Sequence, residues 1–280
     1  TLPYFYLPGH FNTSSVLFET AVCMTVYIGV MALEFAPVVL EKFGWKVPMK
    51  WLNKIMFFIL ALGALLPTMH QSSMGSLMIA AGNKIHPLWQ SYELLPVFSL
   101  LTAFIMGFSI VVFEGSLVQA GLAGKGPNEK PLFYRLTQVI DIFLILFVAL
   151  RFAEIVLRDK SEYLSQWNRY SISFWCEIGL MLFPLLVFHW DRFRRDSRML
   201  FLGALSMLLG AALWRMNYSL LAFNPGNGYH YFPTSEEILI SVGFVAIEVC
   251  AYLLLIRVLP VLPSLERVHK DYQARGKAKV

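Results

Sequence analysis

Seven nearly uninterrupted apolar stretches dominate the chain, near 14–40, 51–70, 95–121, 132–157, 170–190, 198–222 and 236–260. Each reaches the roughly 20 residues that a helix needs to cross the hydrocarbon of a bilayer. The pattern predicts an all-α fold: a polytopic transmembrane helix bundle of about seven spans, one domain over 1–265, followed by a basic tail over 266–280.

The polar connections set the expected orientation. Lys42, Lys46, Lys50 and Lys54 lie around the first connection, Lys125, Lys130 and Arg135 around the third, and Arg192, Arg194, Arg195 and Arg198 around the fifth. The end of the chain adds Arg257, Arg267, Lys270, Arg275, Lys277 and Lys279. The alternate connections hold only Lys84, Arg158, Lys160 and Arg169. Basic residues collect on the cytoplasmic side of membrane proteins, so the C-terminus is expected in the cytoplasm and Thr1 outside. Two outer connections stand out: 71–94 is long and polar-aromatic, and 223–235 (FNPGNGYHYFPTS) lacks Lys and Arg but is dense in Tyr, Asn and Gly. Together they read as a docking or ligand-facing surface.

Composition agrees. The 280 residues are 57% hydrophobic and only 15% charged, with a mean hydropathy of +0.59. A soluble domain carries about 25% charged residues and must cover itself with polar groups. Disorder, a nucleic-acid-binding domain and an ordinary soluble enzyme are therefore excluded. Cys23, Cys176 and Cys250 all fall in apolar runs with no CxxC or CxxCH spacing. No metal site and no iron–sulphur cluster is expected in this chain. The opening LPYFYLPGHFN (2–12) has no signal-peptide character, and it reads as the interior of a longer protein.

The informative residues are the ionisable ones inside the apolar stretches: Glu19, Glu34, Glu114, Asp141, Arg151, Glu154, Glu177, Arg215 and Glu248. Each costs about 2.5–3.5 kcal/mol at the centre of a membrane helix, so such residues usually face a bundle interior and often serve function. Glu19, Tyr27 and Glu34 share one helix face, with the two carboxyls roughly 22 Å apart along the axis. Arg151 and Glu154, three apart, can satisfy each other, and Arg215 can neutralise Glu19 or Glu177. Glu177 and Asp141 lie near enough to span ends to be solvated or capping. Glu19, Glu114 and Glu248 read as buried, proton-handling acids. His70 follows Pro67 in LPTMHQSSMGSL (66–77), where a helix break, a histidine, a glutamine and serines predict a polar pocket at the outer surface. The only other histidine on a span, His189, sits about a bilayer away, so a haem held between two membrane histidines is not expected. A pocket with His, Arg, carboxyls and Tyr that opens to lipid suits a quinone, whose reduction takes two electrons and two protons.

The segments SVLFETAVCM (15–24), LPTMHQSSMGSL (66–77), HPLWQSYELLP (86–96), FEGSLVQAG (113–121) and FNPGNGYHYFPT (223–234) resemble the integral membrane subunits of periplasm-facing, quinone-linked nickel–iron hydrogenases. These belong to the polysulphide/nitrite reductase membrane-subunit (NrfD-like) family. The resemblance runs from about residue 2 to about 265 and covers loops as well as spans. Family members carry about three further helices before Leu2. The resemblance implies a multi-pass subunit of the bacterial inner membrane, without haem, that binds menaquinone or another quinone near the periplasmic surface. It implies electron delivery by a ferredoxin-like iron–sulphur subunit, fed by the hydrogenase large and small subunits, and proton conduction through buried acids. By resemblance, Glu19 and His70 match quinone-side positions and Glu114 a proton-path acid, with Glu34 and Arg215 as weaker carry-overs; Arg215 is assigned to the quinone pocket, and Glu34, Asp141 and Glu248 are assigned as weaker members of the proton path. The competing readings are a passive anchor for a periplasmic oxidoreductase and an ion transporter. A transporter would more often show mid-span Gly/Pro breaks and an internal repeat, and the sequence has neither.

Overall fold

The computed structural model describes residues 12–121, 130–226, 231 and 233–259. Seven helices of 20 residues or more coincide with the seven predicted stretches: α1 (Val16–Phe43), α2 (Lys46–Ile79), α3 (Leu95–Gly121), α4 (Lys130–Leu157), α6 (Arg169–His189), α8 (Ser197–Met216) and α9 (Ser235–Val258). Two single-turn helices, α5 (Glu162–Ser165) and α7 (Asp191–Arg194), lie in connections. Five segments of the described residues, Val16–Phe43, Lys46–Ile79, Tyr92–Leu117, Arg169–His189 and Ser197–Leu221, are long and apolar enough to cross a membrane. The fold is a helical membrane bundle.

Two boundaries depart from the expectation. The segment around Lys46, Lys50 and Lys54 is the start of α2 and not a loop, because α1 and α2 are joined by Gly44 and Trp45 alone. Gly44 takes φ +68, and Trp45 N–H closes back on the Leu40 carbonyl at 3.0 Å, a helix-ending turn in which a Cβ would be strained. At the other end, α2 runs through Pro67 to Ile79, so His70 and QSSMGSL are helical. Proline removes one backbone bond, but membrane helices tolerate it where neighbours re-satisfy the freed carbonyl.

The described residues divide into two compact units. One comprises those within Val22–Pro67 and Pro233–Val280, the other those within Thr1–Ala21 and Thr68–Phe232. In the first, Val30 packs with Leu52 and Ile59, and Gly63 of α2 lies directly against the Glu34 carboxylate of α1. α9 opens on a capping box in which the Thr234 and Glu237 side chains each bond the other's backbone.

In the second unit α3 packs on α4, α4 on α6, α6 on α8 and α8 on α3, which closes a four-helix ring. Phe98, Phe147 and Trp214 meet edge to face at its centre, with centroids 5.3–6.5 Å apart. Gly203 and Gly210 bring α8 close to α6, since a Cβ at either would meet Phe188 or Leu180 within 3.1 Å. Many large apolar side chains point outward, Ile142, Val156 and Leu186 among them, as a lipid-facing surface requires. Above the ring, residues 80–94 form three 3₁₀ turns pinned to residues 222–224. His86 N–H donates to the Ala222 carbonyl at 2.8 Å, and Asn224 N–H to that of Lys84 at 2.7 Å. α8 ends in a π turn over Asn217–Leu221, an irregularity often found at functional sites.

Candidate functional site

The second unit carries three polar groupings. The first surrounds the last turns of α2. Ser73 donates to Glu19 Oε1 at 2.9 Å, and Arg215 Nη1 donates to Gln71 Oε1 at 2.7 Å. His70 is half-buried and within Coulombic reach of Arg215. Its Nδ1 and the Nε of Arg215 are buried without a hydrogen-bond partner among the described residues. Ser73 thus holds Glu19 of α1 and Gln71 holds Arg215 of α8, each on the α2 segment that carries His70. The partner of Arg215 is Gln71, and neither Glu19 nor Glu177 fills that place.

The second grouping is a fully buried ion network that links the ring to the connections above it. Glu177 Oε2 accepts from Trp89 Nε1 at 2.9 Å and from Asn217 Nδ2 at 2.8 Å, and Arg151 Nε stands 4.0 Å from Oε1. Glu154 Oε2 accepts from Ser91 Oγ at 2.8 Å and faces Arg151 Nη1 at 3.5 Å. Its Oε1 receives Lys160 Nζ at 3.0 Å, and that ammonium also donates to the Gln90 carbonyl at 2.7 Å. The Arg151 guanidinium lies between the Phe98 and Phe174 rings, 5.8 and 5.5 Å from their centroids. Two carboxylates thus meet two buried cations, and the partly exposed Arg158 also reaches Glu154 Oε1 at 3.9 Å. The Arg151–Glu154 pair was legible from its spacing. Glu177 was expected to be solvated or capping and is instead fully buried, because Trp89, Asn217 and Arg151 supply what water would. Tyr92 (φ 39) and Asp159 (φ 52) take left-handed backbone next to Ser91 and Lys160, a conformation that costs of order 1 kcal/mol per residue and is held here by the bonds those neighbours make. Burial pulls the Lys160 ammonium below the usual lysine range, while Glu154 opposes that shift.

The third grouping lies at the opposite end of the ring. His189 Nδ1 and Asp141 Oδ2 are 3.0 Å apart. Beside them Tyr134 donates to Asp191 Oδ1 at 2.9 Å, and Arg194 pairs with Asp191 at 3.2 Å.

Glu34, Glu114 and Glu248 are not drawn into these groupings. Glu34 rests on Gly63 in the other unit. Glu19, Glu114 and Glu248 were expected to be buried, and all three are exposed on this chain. Apolar residues surround a membrane helix on every side, so the sequence around an acid does not reveal which face it takes. Trp89, Lys160 and Asn217 were not read as site residues from the sequence, whereas Gln71 and Ser73 belong to the polar run after His70 that predicted a pocket.

In the connection between α2 and α3, His86 stacks on Tyr170 with centroids 4.1 Å apart, and its Nδ1 accepts from Leu88 N–H. Burial and the nearby Arg169 charge lower its pKa to about 4, so the ring is neutral at physiological pH.

No family model matches the sequence, and no solved structure matches it. The chain is 67% identical over 277 residues to the "Probable Ni/Fe-hydrogenase 2 b-type cytochrome subunit" of Escherichia coli (strain K12), spanning 99% of this chain and 71% of that one. It is 29% identical over 272 residues to a protein of Nitratidesulfovibrio vulgaris, spanning 94% of this chain and 68% of that one. The first relative's name is that of a b-type cytochrome subunit, which points to haem b and overturns the expectation of a haem-free chain. That expectation required two histidines at one depth within the spans. Of the three described histidines, His86 lies outside the membrane-length helices and the His189 side chain is largely exposed at the end of α6, whereas His70 is half-buried within a membrane helix and would be the residue to hold haem iron. With two thirds of its residues shared over nearly its whole length, the chain belongs to the family of Ni/Fe-hydrogenase b-type cytochrome subunits.

Proposed function

We propose that this chain is the membrane subunit of a respiratory nickel–iron hydrogenase complex, passing electrons from a periplasmic iron–sulphur partner to a quinone bound beside His70 and Arg215. The observation that carries the reading is the pair of buried, unpartnered nitrogens, His70 Nδ1 and Arg215 Nε. Buried polar groups seldom lack partners, and an orphaned pair on neighbouring side chains marks a place for a ligand. A quinone carbonyl accepts hydrogen bonds, and Arg215 has a free donor for it. Glu19, steadied by Ser73, is a carboxyl through which protons reach the reduced ring. Two electrons and two protons convert the quinone to quinol, so electron delivery and proton uptake balance at one site. Menaquinone is the substrate that the resemblance implies, and the electron donor is a ferredoxin-like subunit fed by the hydrogenase large and small subunits. The NrfD-like family and a coupled transmembrane proton path through Glu114, Glu34, Asp141 and Glu248 belong to the same proposal.

A second use of His70 follows from the relative's name. Bound haem b would supply a one-electron carrier, and His70 is the described residue that would hold its iron. Arg215, half-buried beside it, would balance negative charge there.

The test is hydrogen-dependent quinone reduction by the assembled complex, with reduction of a soluble dye as the control for hydrogen activation. Arg215→Gln and Glu19→Gln are expected to lower quinone reduction by about tenfold or more and to leave dye reduction unchanged. Full quinone reduction in both variants would leave the chain a passive anchor.

A further inference from the structure

We propose that Asp141 and His189 form a proton port, in which an exposed imidazole passes protons between water and a sheltered carboxyl. The inference rests on the proton coupling proposed above and names the residue pair that opens the path at the end of the ring opposite His70. His189 is the last residue of α6, and its side chain is 63% exposed, whereas that of Asp141 on α4 is 13% exposed. The 3.0 Å between Nδ1 and Oδ2 is within the reach over which proton transfer occurs. Imidazole suits the task because it accepts a proton on one nitrogen while releasing one from the other.

Two further observations separate this pair from a simple staple between helices. Asp141 Oδ1 is buried with no hydrogen-bond partner among the described residues, so the carboxyl is engaged on its solvent side and open on its inner side. One cation of this end is also engaged elsewhere. Arg194 pairs with Asp191, lies 4.5 Å over the Tyr134 ring and donates to the His189 carbonyl at 3.1 Å, while Tyr134 completes the Asp191 contact. Among the described residues no lysine or arginine pairs with Asp141. The step is balanced. Nε2 of His189 takes a proton from water, Nδ1 releases one to Asp141 Oδ2, and Asp141 passes a proton onward from Oδ1. Nothing is oxidised or reduced, and the imidazole returns to its first tautomer by exchange with water.

The experiment uses the whole hydrogenase complex in sealed vesicles. It records hydrogen-driven quinone reduction and the accompanying pH change in the same sample. For His189→Gln, quinone reduction is expected to stay within about twofold while protons moved per quinone fall about tenfold or more, and Asp141→Asn is expected to lower proton movement likewise. Imidazole in the buffer is expected to restore proton movement to His189→Ala. His189 is largely exposed, so its variants test the port even where Asp141→Asn fails to assemble. Full proton yield in the His189 variants would overturn the port. Equal loss of quinone reduction and proton movement would reduce the pair to a structural contact. If the unaltered complex reduces quinone without moving protons, the coupling itself fails and the port with it.

Discussion

Trp89 and Glu177, 88 residues apart in sequence, meet at 2.9 Å in the buried centre of the helix ring, the indole N–H donating to the carboxylate. This bond ties the 3₁₀ turns above the ring to α6 at the point where Arg151 also arrives. Removing one member of a buried charged group leaves the rest uncompensated, at a cost of about 3–5 kcal/mol. Glu177→Ala is expected to destabilise the chain by about that much, and Trp89→Phe by about 1–3 kcal/mol. Thermal unfolding of the complex in detergent measures both.

A contrasting pair lies at the rim. Arg158 and Glu93 stand 3.2 Å apart, but the Glu93 side chain is 85% exposed. Solvent screens such pairs and their contribution is small. Glu93→Gln is expected to leave the unfolding temperature essentially unchanged, whereas Lys160→Gln, which strips the buried Glu154 of its ammonium, lowers it clearly.

Two glycines of α2 should respond differently to alanine. A Cβ at Gly75 would come within 2.7 Å of the Pro96 Cα and 2.8 Å of Ser99 Oγ, so the α3 backbone has to move. Gly75→Ala is expected to cost about 1–3 kcal/mol. At Gly63 the obstacle is the Glu34 carboxylate, the far end of a flexible side chain that can swing away. Gly63→Ala should therefore cost less, as parallel unfolding measurements would register.

The connection between α2 and α3 should be sensitive to acid. His86 has its pKa lowered from 6.5 to about 4, so the folded chain binds fewer protons than the unfolded chain between those values. Stability from the His86–Tyr170 stack is complete above about pH 6.5 and is lost as pH falls toward 4. His86→Gln should flatten this part of the pH–stability curve, and an unchanged slope in that variant would assign the acid sensitivity elsewhere.

Haem binding by the complex can be read from its absorption spectrum. If haem b is held by this chain through His70, His70→Ala should weaken or abolish the b-type bands while His189→Ala leaves them intact. Unchanged bands in the His70 variant would remove the axial role from that residue.

The spans were legible because apolar runs of about 20 residues seldom occur outside a bilayer. Their ends were less so. Pro67 reads as a stop, yet α2 continues twelve residues beyond it, since in a membrane the surrounding groups compensate for one lost backbone bond. Glu19 and Arg215 were assigned to the depth of His70, and each touches the α2 turn that carries it, through Ser73 and Gln71 respectively. The buried network was half legible. Arg151 and Glu154 are neighbours on one helix, but nothing local announces that Trp89 and Asn217 converge on Glu177 from distant segments. The exposure of Glu19, Glu114 and Glu248 was hidden for a related reason: a helix apolar all round has no sequence-marked inner face.

The most direct test of the quinone site is covalent mapping with a photoreactive quinone on the assembled complex. The account predicts adducts on the α2 segment 66–77 and on 213–219 at the end of α8, suppressed by excess unlabelled quinone and weakened in Arg215→Gln. Labelling confined to other segments, or labelling at these two that excess quinone does not displace, would contradict it.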